Sequence, residues 1–321
     1  MKKILFNILI QTISIFLIIK FIVLDNLNQE SLNLLLSPYI ILLFLFVALI
    51  KFFVAYIFFQ IINIISNKRN NLLTVADVIL QGGIINQIVP GLGYIFNYYK
   101  LKSDMNSSLI EYSISQSILS IGNILAYFSL ALIFGFIYFS NISQISNQFF
   151  LLIIITITFL ILFYFIKSQN ISLQVIKNKI LLIKRLESFV SELKVIKDNI
   201  FNNFKKFTFI FFIILFKAIF ECIAFHVALK MFGADITFME SSYTWIISSL
   251  AIGLLFLNYI GVFELILFIS SIFLIPNFND MAVFALSFRI LGIFALITAA
   301  IFASLLNIFL NSKSIKIKKL N

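Results

Sequence analysis

Charge is scarce in this chain. Aspartate, glutamate, lysine and arginine make up 12% of its 321 residues, against 62% hydrophobic residues. Soluble domains carry about a quarter of their residues as charges, so a soluble globular fold is excluded. Cysteine is all but missing: Cys222 stands alone, which excludes a disulfide framework and any cysteine metal site. His226 is the only histidine, which excludes a metal cluster built on imidazoles. No Walker loop, dinucleotide fingerprint or nucleophile–base arrangement is found. The reading therefore includes no catalytic residue, no metal and no cofactor, and it argues against a self-contained ATP-driven pump. Acidic residues are few, 13 against 24 basic ones, for a net charge of +11. The basic residues fall in short segments between apolar runs. They read as positive-inside markers and contacts to anionic lipid heads, not as a nucleic-acid surface.

What fills the chain instead is a series of apolar runs long enough to cross a hydrocarbon core of roughly 30 Å. They are continuously apolar rather than alternating, which argues for helices over a barrel. The expected fold class is an all-α polytopic integral membrane protein forming one domain over 1–321. Lys2 and Lys3 put the N-terminus in the cytoplasm. With no small-residue cleavage site after it, the run from Ile4 to Leu24 reads as a first retained span. A second span starts near Pro38 and returns towards Lys51, with Phe52 to Ser66 extending it or lying along the interface. Further spans are expected at about Leu109–Ile137, Phe149–Ile166, Phe207–Met231 and Met281–Leu310. The segment from Lys167 to Lys206 is the most basic in the chain and is assigned to the cytoplasm. Val175, Ile176, Ile180, Ile183 and Leu186 recur there at near-helical spacing, as in an amphipathic helix on an anionic leaflet. Lys313, Lys316, Lys318 and Lys319 place the C-terminus in the cytoplasm as well.

Two segments do not fit a simple crossing. The first, about 72–99, has Lys68-Arg69 before it and Lys100 and Lys102 after it, so it enters and leaves on the same side. Its centre, Gln81 to Gly93, is dense in helix breakers. The second, 245–275, must start and end outside if the spans around it are counted correctly. Its 31 residues make a helix of roughly 46 Å, too long for one upright span and short for two. Both read as re-entrant helical hairpins inserted from opposite faces, giving about six full spans and two hairpins. Asn86 with Gly91 and Gly93, and Asn258 with Gly261, repeat weakly between them. In secondary transporters such interrupted pairs point to a midplane binding site.

Charges inside the apolar runs are the candidate functional residues. Glu264 is the only charge between Trp245 and Ile275, and a charge at that depth costs about 2.5–3.5 kcal/mol on insertion scales. Lys217 and Glu221 are four apart on one helix face and can pair locally. Arg289 can meet Glu264 or Glu221 across the bundle, or grip a phosphate in bidentate fashion. Asp77 reads as a cap for the first turn of the first hairpin. His226 reads as a packed, hydrogen-bonded residue near the outer end. Lys100 and Lys102 are placed to attract an anionic head group or to act as ordinary positive-inside residues.

Two stretches taken together carry a resemblance. The first is Asn86-Gln87-Ile88-Val89-Pro90-Gly91-Leu92-Gly93, followed by Tyr98-Tyr99-Lys100-Leu101-Lys102. The second is Asn258-Tyr259-Ile260-Gly261-Val262-Phe263-Glu264, with Arg289 further on. Their order and spacing resemble the transmembrane region of lysylphosphatidylglycerol synthetases, within the wider group of flippase-like membrane proteins. Tyr94 and Asn97 stand where that family commonly has an acid and an arginine, and its second motif here lacks a proline and a glycine pair. The resemblance implies transbilayer movement of an anionic, aminoacylated or glycosylated lipid, without aminoacyl transfer, which belongs to a soluble domain. It implies a substrate site drawn from Asn86, Pro90, Gly91, Gly93, Lys100, Lys102, Asn258, Gly261, Glu264 and Arg289, with Lys217 and Glu221 beside them. The partners to expect are a membrane phospholipid or glycolipid, and a lipid synthase or glycosyltransferase that this chain would anchor through its basic loop; a homo-oligomer stays open. An alternative is a membrane-embedded transferase acting on a polyprenyl-linked sugar, with Asp235 and Glu240 as its outer carboxylates.

Overall fold

The computed structural model describes residues 38–68, 70–88, 91–140, 183–255, 262–274 and 281–318. Among them the secondary structure is helical throughout, in nine helices: α1 Pro38–Ser66, α2 Leu72–Ile88, α3 Leu92–Met105, α4 Leu109–Ser140, α5 Ile183–Asn202, α6 Phe204–Met231, α7 Phe238–Leu255, α8 Val262–Leu274 and α9 Met281–Lys318. Four contain stretches long and apolar enough to cross a membrane: Ile40–Ser66, Leu109–Gly135, Phe204–Met231 and Ser287–Phe309. The shortest has 23 residues, about 35 Å of helix, which exceeds the hydrocarbon thickness. The protein is thus a helical, multi-pass membrane protein. The expected spans at Ile4–Leu24 and Phe149–Ile166 lie outside the described residues, as do the loop residues 167–182.

Of the two courses open to Phe52 to Ser66, the structure shows the extension: α1 runs unbroken from Pro38 past Lys51 to Ser66. The reason lies in its second half, where Ala55, Phe58, Ile61, Ile62 and Ile65 are all buried at helical spacing. Phe58, Ile61, Ile62 and Ile65 pack with Val75 and Val78 of α2 and with Tyr112, Leu119 and Ala126 of α4, and Ala55 packs with Ala76 and Leu80 of α2. A lysine on one face does not end a helix that buries its neighbours. Lys51 therefore sits near the middle of a membrane-length helix.

The stretch expected to be broken from Gln81 to Gly93 is corrected. Helix α2 stays regular to Ile88, and α3 begins at Leu92 after a turn at Gly91. Its glycines serve close packing instead of helix breaking. A Cβ on Gly82 would lie 1.8 Å from Asn97 Oδ1, and one on Gly93 would lie 2.0 Å from the Gly82 carbonyl oxygen. Helices α2 and α3 cross at these two residues, backbone against backbone. The turn itself needs Gly91, whose φ of 87° is left-handed and strained for residues with a Cβ.

Polar side chains close one end of the bundle. Ser108 and Glu111 form a reciprocal capping box at the start of α4, with Ser108 N–H to Glu111 Oε2 at 2.8 Å and Glu111 N–H to Ser108 Oγ at 3.0 Å. Lys68 lies 3.7 Å from Glu111 and donates to the Asn106 carbonyl at 3.1 Å. Asn199 of α5 donates to the Ile65 carbonyl at 3.0 Å, and Ser108 bonds Glu192. Helix α5 is thereby moored across the ends of α1 and α4. At the opposite end Thr237 and Glu240 form a second capping box, with Thr237 N–H to Glu240 Oε2 at 2.8 Å. Helix α7 then buries Ser241, Thr244 and Ser248. Each hydroxyl bonds a carbonyl four residues back, so these small side chains let neighbouring helices approach without stranding a polar group.

Helices α2 and α9 run antiparallel. Thr74 pairs with Asn307 at 3.3 Å, Gln81 with Ser304 at 3.2 Å, and Gln87 with Arg289, so rising numbers on one meet falling numbers on the other. A Cβ on Gly83 would meet Leu296 at 3.3 Å, midway along the seam.

Candidate functional site

Four charges within the apolar helices form two groups in the bundle interior, each group bonded to residues distant in sequence. Arg289 of α9 is the hub of one group. Its Nε lies 3.4 Å from Glu264 Oε1 on α8, and its Nη2 donates to Gln87 Oε1 on α2. One guanidinium thus ties α2, the first arm before the Gly91 turn, to α8, which follows the segment containing Asn258 and Gly261. The Glu264 side chain is 1% exposed and that of Arg289 12%. At such burial the ions stabilise the fold only as a pair, since either one alone would be an uncompensated charge in a low-dielectric interior.

A second group lies on α6 and α4. Lys217 and Glu221 pair at 3.1 Å across one helical turn. Lys217 also donates to Asn123 Oδ1 at 3.0 Å and stands 5.3 Å from the centre of the Tyr127 ring. The Tyr127 hydroxyl donates to Glu221. Charge, amide and phenol satisfy one another, which is how a polar cluster persists inside a bundle. Lys51 of α1 is a further charge within a membrane-length helix. It is half-buried, on the same stripe of α1 as the buried Val47, Ala48 and Ala55.

The other expected site residues distribute differently. Asn86 belongs to the turn: its Oδ1 accepts the Gly91 N–H at 2.7 Å. Gly91 and Gly93 shape that turn and the helix crossing beneath it. Pro90, Asn258 and Gly261 lie outside the described residues. Lys100 and Lys102 are exposed on α3, shortly before Asn106 and its bond from Lys68. They stand at the polar end of the bundle and not with the interior charges; Lys102 lies 5.9 Å from the Tyr98 ring centre.

Asp77 is not a cap. It lies more than a turn inside α2, accepts from Gln81 Nε2 at 2.7 Å and is bonded by Ser304 of α9. Asn71 is the residue that reaches the start of α2, accepting the Leu73 N–H at 3.0 Å. His226 Nδ1 is 2.8 Å from Ser241 Oγ, and its ring meets Phe238 edge-on. Among the described residues no group of three or more His, Cys, Asp or Glu side chains is placed to hold a metal ion.

Sequence reasoning missed three participants: Gln87, Asn123 and Tyr127. Gln87 lies inside the Asn86 to Gly93 motif but carries no charge to mark it. Asn123 and Tyr127 carry no signal of their own, since each is one polar group in a long apolar helix.

No family model, curated protein or solved structure matches this chain.

Proposed function

We propose that this protein moves an anionic phospholipid or related lipid head group between the leaflets of the cytoplasmic membrane, in the manner of flippase-like proteins. In this reading α2–α3 and α7–α8 are re-entrant hairpins inserted from opposite faces. The end bearing Lys68, Lys100, Lys102 and α5 faces the cytoplasm, as do both termini, and two spans outside the described residues complete six. The carrying observation is Arg289, which holds Gln87 of one hairpin and Glu264 of the other from a single membrane-spanning helix. A polar hub at membrane depth that joins helices distant in sequence supports a head-group pathway, since charges there are costly and mark substrate routes. Head groups would pass along the interior charges while acyl chains stay in lipid.

Glu264 acts in this scheme by holding Arg289 in place. The order of the Asn86 to Gly93 and Asn258 to Glu264 motifs, resembling the lysylphosphatidylglycerol synthetase membrane region, supports the same reading. Of the outer carboxylates of the transferase alternative, Glu240 caps α7 and Asp235, fully exposed, pairs with Lys230 at 3.4 Å.

The test is reconstitution into liposomes carrying head-group-labelled phosphatidylglycerol, with a membrane-impermeant quencher reporting the outer leaflet. Wild-type protein should render the inner-leaflet label accessible faster than empty liposomes do. Absence of acceleration across phosphatidylglycerol, its lysyl ester and a polyprenyl-phosphate sugar would overturn the proposal.

A further inference from the structure

Helix α5 sits where three spans reach the edge of the hydrocarbon. Asn199 donates to the carbonyl of Ile65, next to the end of the Ile40–Ser66 span, and Ser108, which bonds Glu192, stands just before the Leu109–Gly135 span. The Phe204–Met231 span begins two residues after α5 ends. The helix is two-sided. Lys194, Lys197 and Asp198 are exposed, while Ile196 is buried in one core cluster with Tyr112 and Ile210.

Between α4 and α5 a space is left. A cavity of about 220 Å³ is lined by Ile114 of α4 and by Leu193, Ile196, Lys197, Ile200 and Phe201 of α5. Ile114 lies five residues inside the span that begins at Leu109, roughly 8 Å along the helix. All the lining residues but Lys197 are apolar, so a water there would lack the two to four polar partners it needs. An apolar void of about 150 Å³ already stays dry and takes a hydrocarbon ligand, and lining atoms that face nothing forfeit their dispersion contacts.

Lys197 gives the ligand its second property. Its ammonium lies 5.8 Å from the centre of the exposed Phe201 ring, and it joins none of the ion pairs among the described residues. Glu192, an acid of the same helix, is bonded to Ser108. A hydrocarbon slot at a membrane boundary with a cation at its mouth fits an amphiphile: the chain fills the slot and the anionic head stays at the edge. We propose that the α4–α5 groove binds one anionic phospholipid, with an acyl chain against Ile114, Leu193 and Ile200 and the phosphate at Lys197. The site shares no residue with the Arg289 group and does not depend on lipid movement.

A photoactivatable acyl chain locates the ligand. Purified protein in phosphatidylcholine nanodiscs receives a trace of phosphatidylglycerol or phosphatidylcholine with a diazirine in one chain. After irradiation, labelled residues are identified by peptide mass spectrometry. Wild-type protein should be labelled at Ile114 and within 193–201 about fivefold more by phosphatidylglycerol than by phosphatidylcholine, the worth of one lysine near an anionic head. Lys197→Gln should abolish that preference and Lys197→Arg should keep it. Ile114→Trp and Ile200→Trp fill the groove. Each should cut labelling there by about fivefold or more, while the exposed Phe302 and Leu305 of α9 are labelled as before. Helicity and elution volume establish which variants are folded, and either tryptophan variant suffices.

Groove labelling no stronger than that of the α9 face, with either lipid, overturns the site: the groove is then closed by protein or meets only bulk lipid. Undiminished labelling in a folded tryptophan variant overturns the groove as the seat of the chain. A preference that survives Lys197→Gln overturns Lys197 as the phosphate ligand. Stronger displacement by oleate than by unlabelled phosphatidylglycerol makes the occupant a free fatty acid and overturns the phospholipid; the reverse order upholds it. None of these outcomes turns on transport, since a protein that moves no lipid in liposomes can still hold this one.

Discussion

Replacing Glu264 by glutamine removes the carboxylate facing Arg289 while keeping side-chain volume. The pair is separated by 3.4 Å, with 1% of the glutamate side chain and 12% of the arginine exposed. Breaking a buried ion pair from one side costs about 3–5 kcal/mol, because the remaining charge is uncompensated, whereas replacing both partners by neutral groups is often neutral or favourable. Glu264→Gln should therefore destabilise by about 3–5 kcal/mol, and Arg289→Gln by a similar or smaller amount. The difference has a chemical cause: a stranded carboxylate can take up a proton, while a guanidinium keeps its charge.

The double variant should cost less than either single one. Summing the singles gives about 6–10 kcal/mol, so a double variant within about 2 kcal/mol of wild type implies coupling of at least about 4 kcal/mol. Reversible unfolding in mixed micelles, followed by helicity, measures all four corners of the cycle. If the double variant is as unstable as the two singles added together, the two residues do not compensate one another and the hub at Arg289 is refuted. Loss of lipid movement in the double variant despite restored stability would then separate a role in the pathway from a role in folding.

The crossing of α2 and α3 makes a sharp comparison: Gly93→Ala drives a Cβ against the Gly82 carbonyl oxygen, whereas Gly82→Ala meets only the side chain of Asn97. Gly93→Ala should cost upwards of about 3 kcal/mol and Gly82→Ala about 1–3 kcal/mol, read as shifts in the same unfolding midpoint; equal costs would show that the backbones do not touch. Lys217→Met alone should destabilise by about 3–5 kcal/mol, and Lys217→Met with Glu221→Met by much less, again by mixed-micelle unfolding. Thr237→Ala removes one half of the α7 capping box and should cost about 1 kcal/mol, while Asp235→Asn, which touches only the exposed pair with Lys230, should leave the midpoint unmoved.

What the sequence alone determined is the solvent and the class of fold. Hydropathy is a one-dimensional property, so helices such as Phe204–Met231 and Leu109–Gly135 could be read directly from their composition. Charges in those runs were equally visible, and so was the local option of Lys217 with Glu221, because four residues along a helix is a fixed distance. The chain could also be seen to turn near Gly91. Tertiary structure decided what those features are for. Asp77 was misplaced because a charged residue looks alike at a cap and inside a bundle. Only the burial of Ala55, Phe58 and Ile62 shows that α1 continues past Lys51. Gly82 and Gly93 looked like breakers until their backbones met. The bond from Arg289 to Gln87 joins residues 202 apart in sequence. No local pattern encodes such a contact: it exists because α2 and α9 pack antiparallel, and that packing is set by side chains along the whole seam.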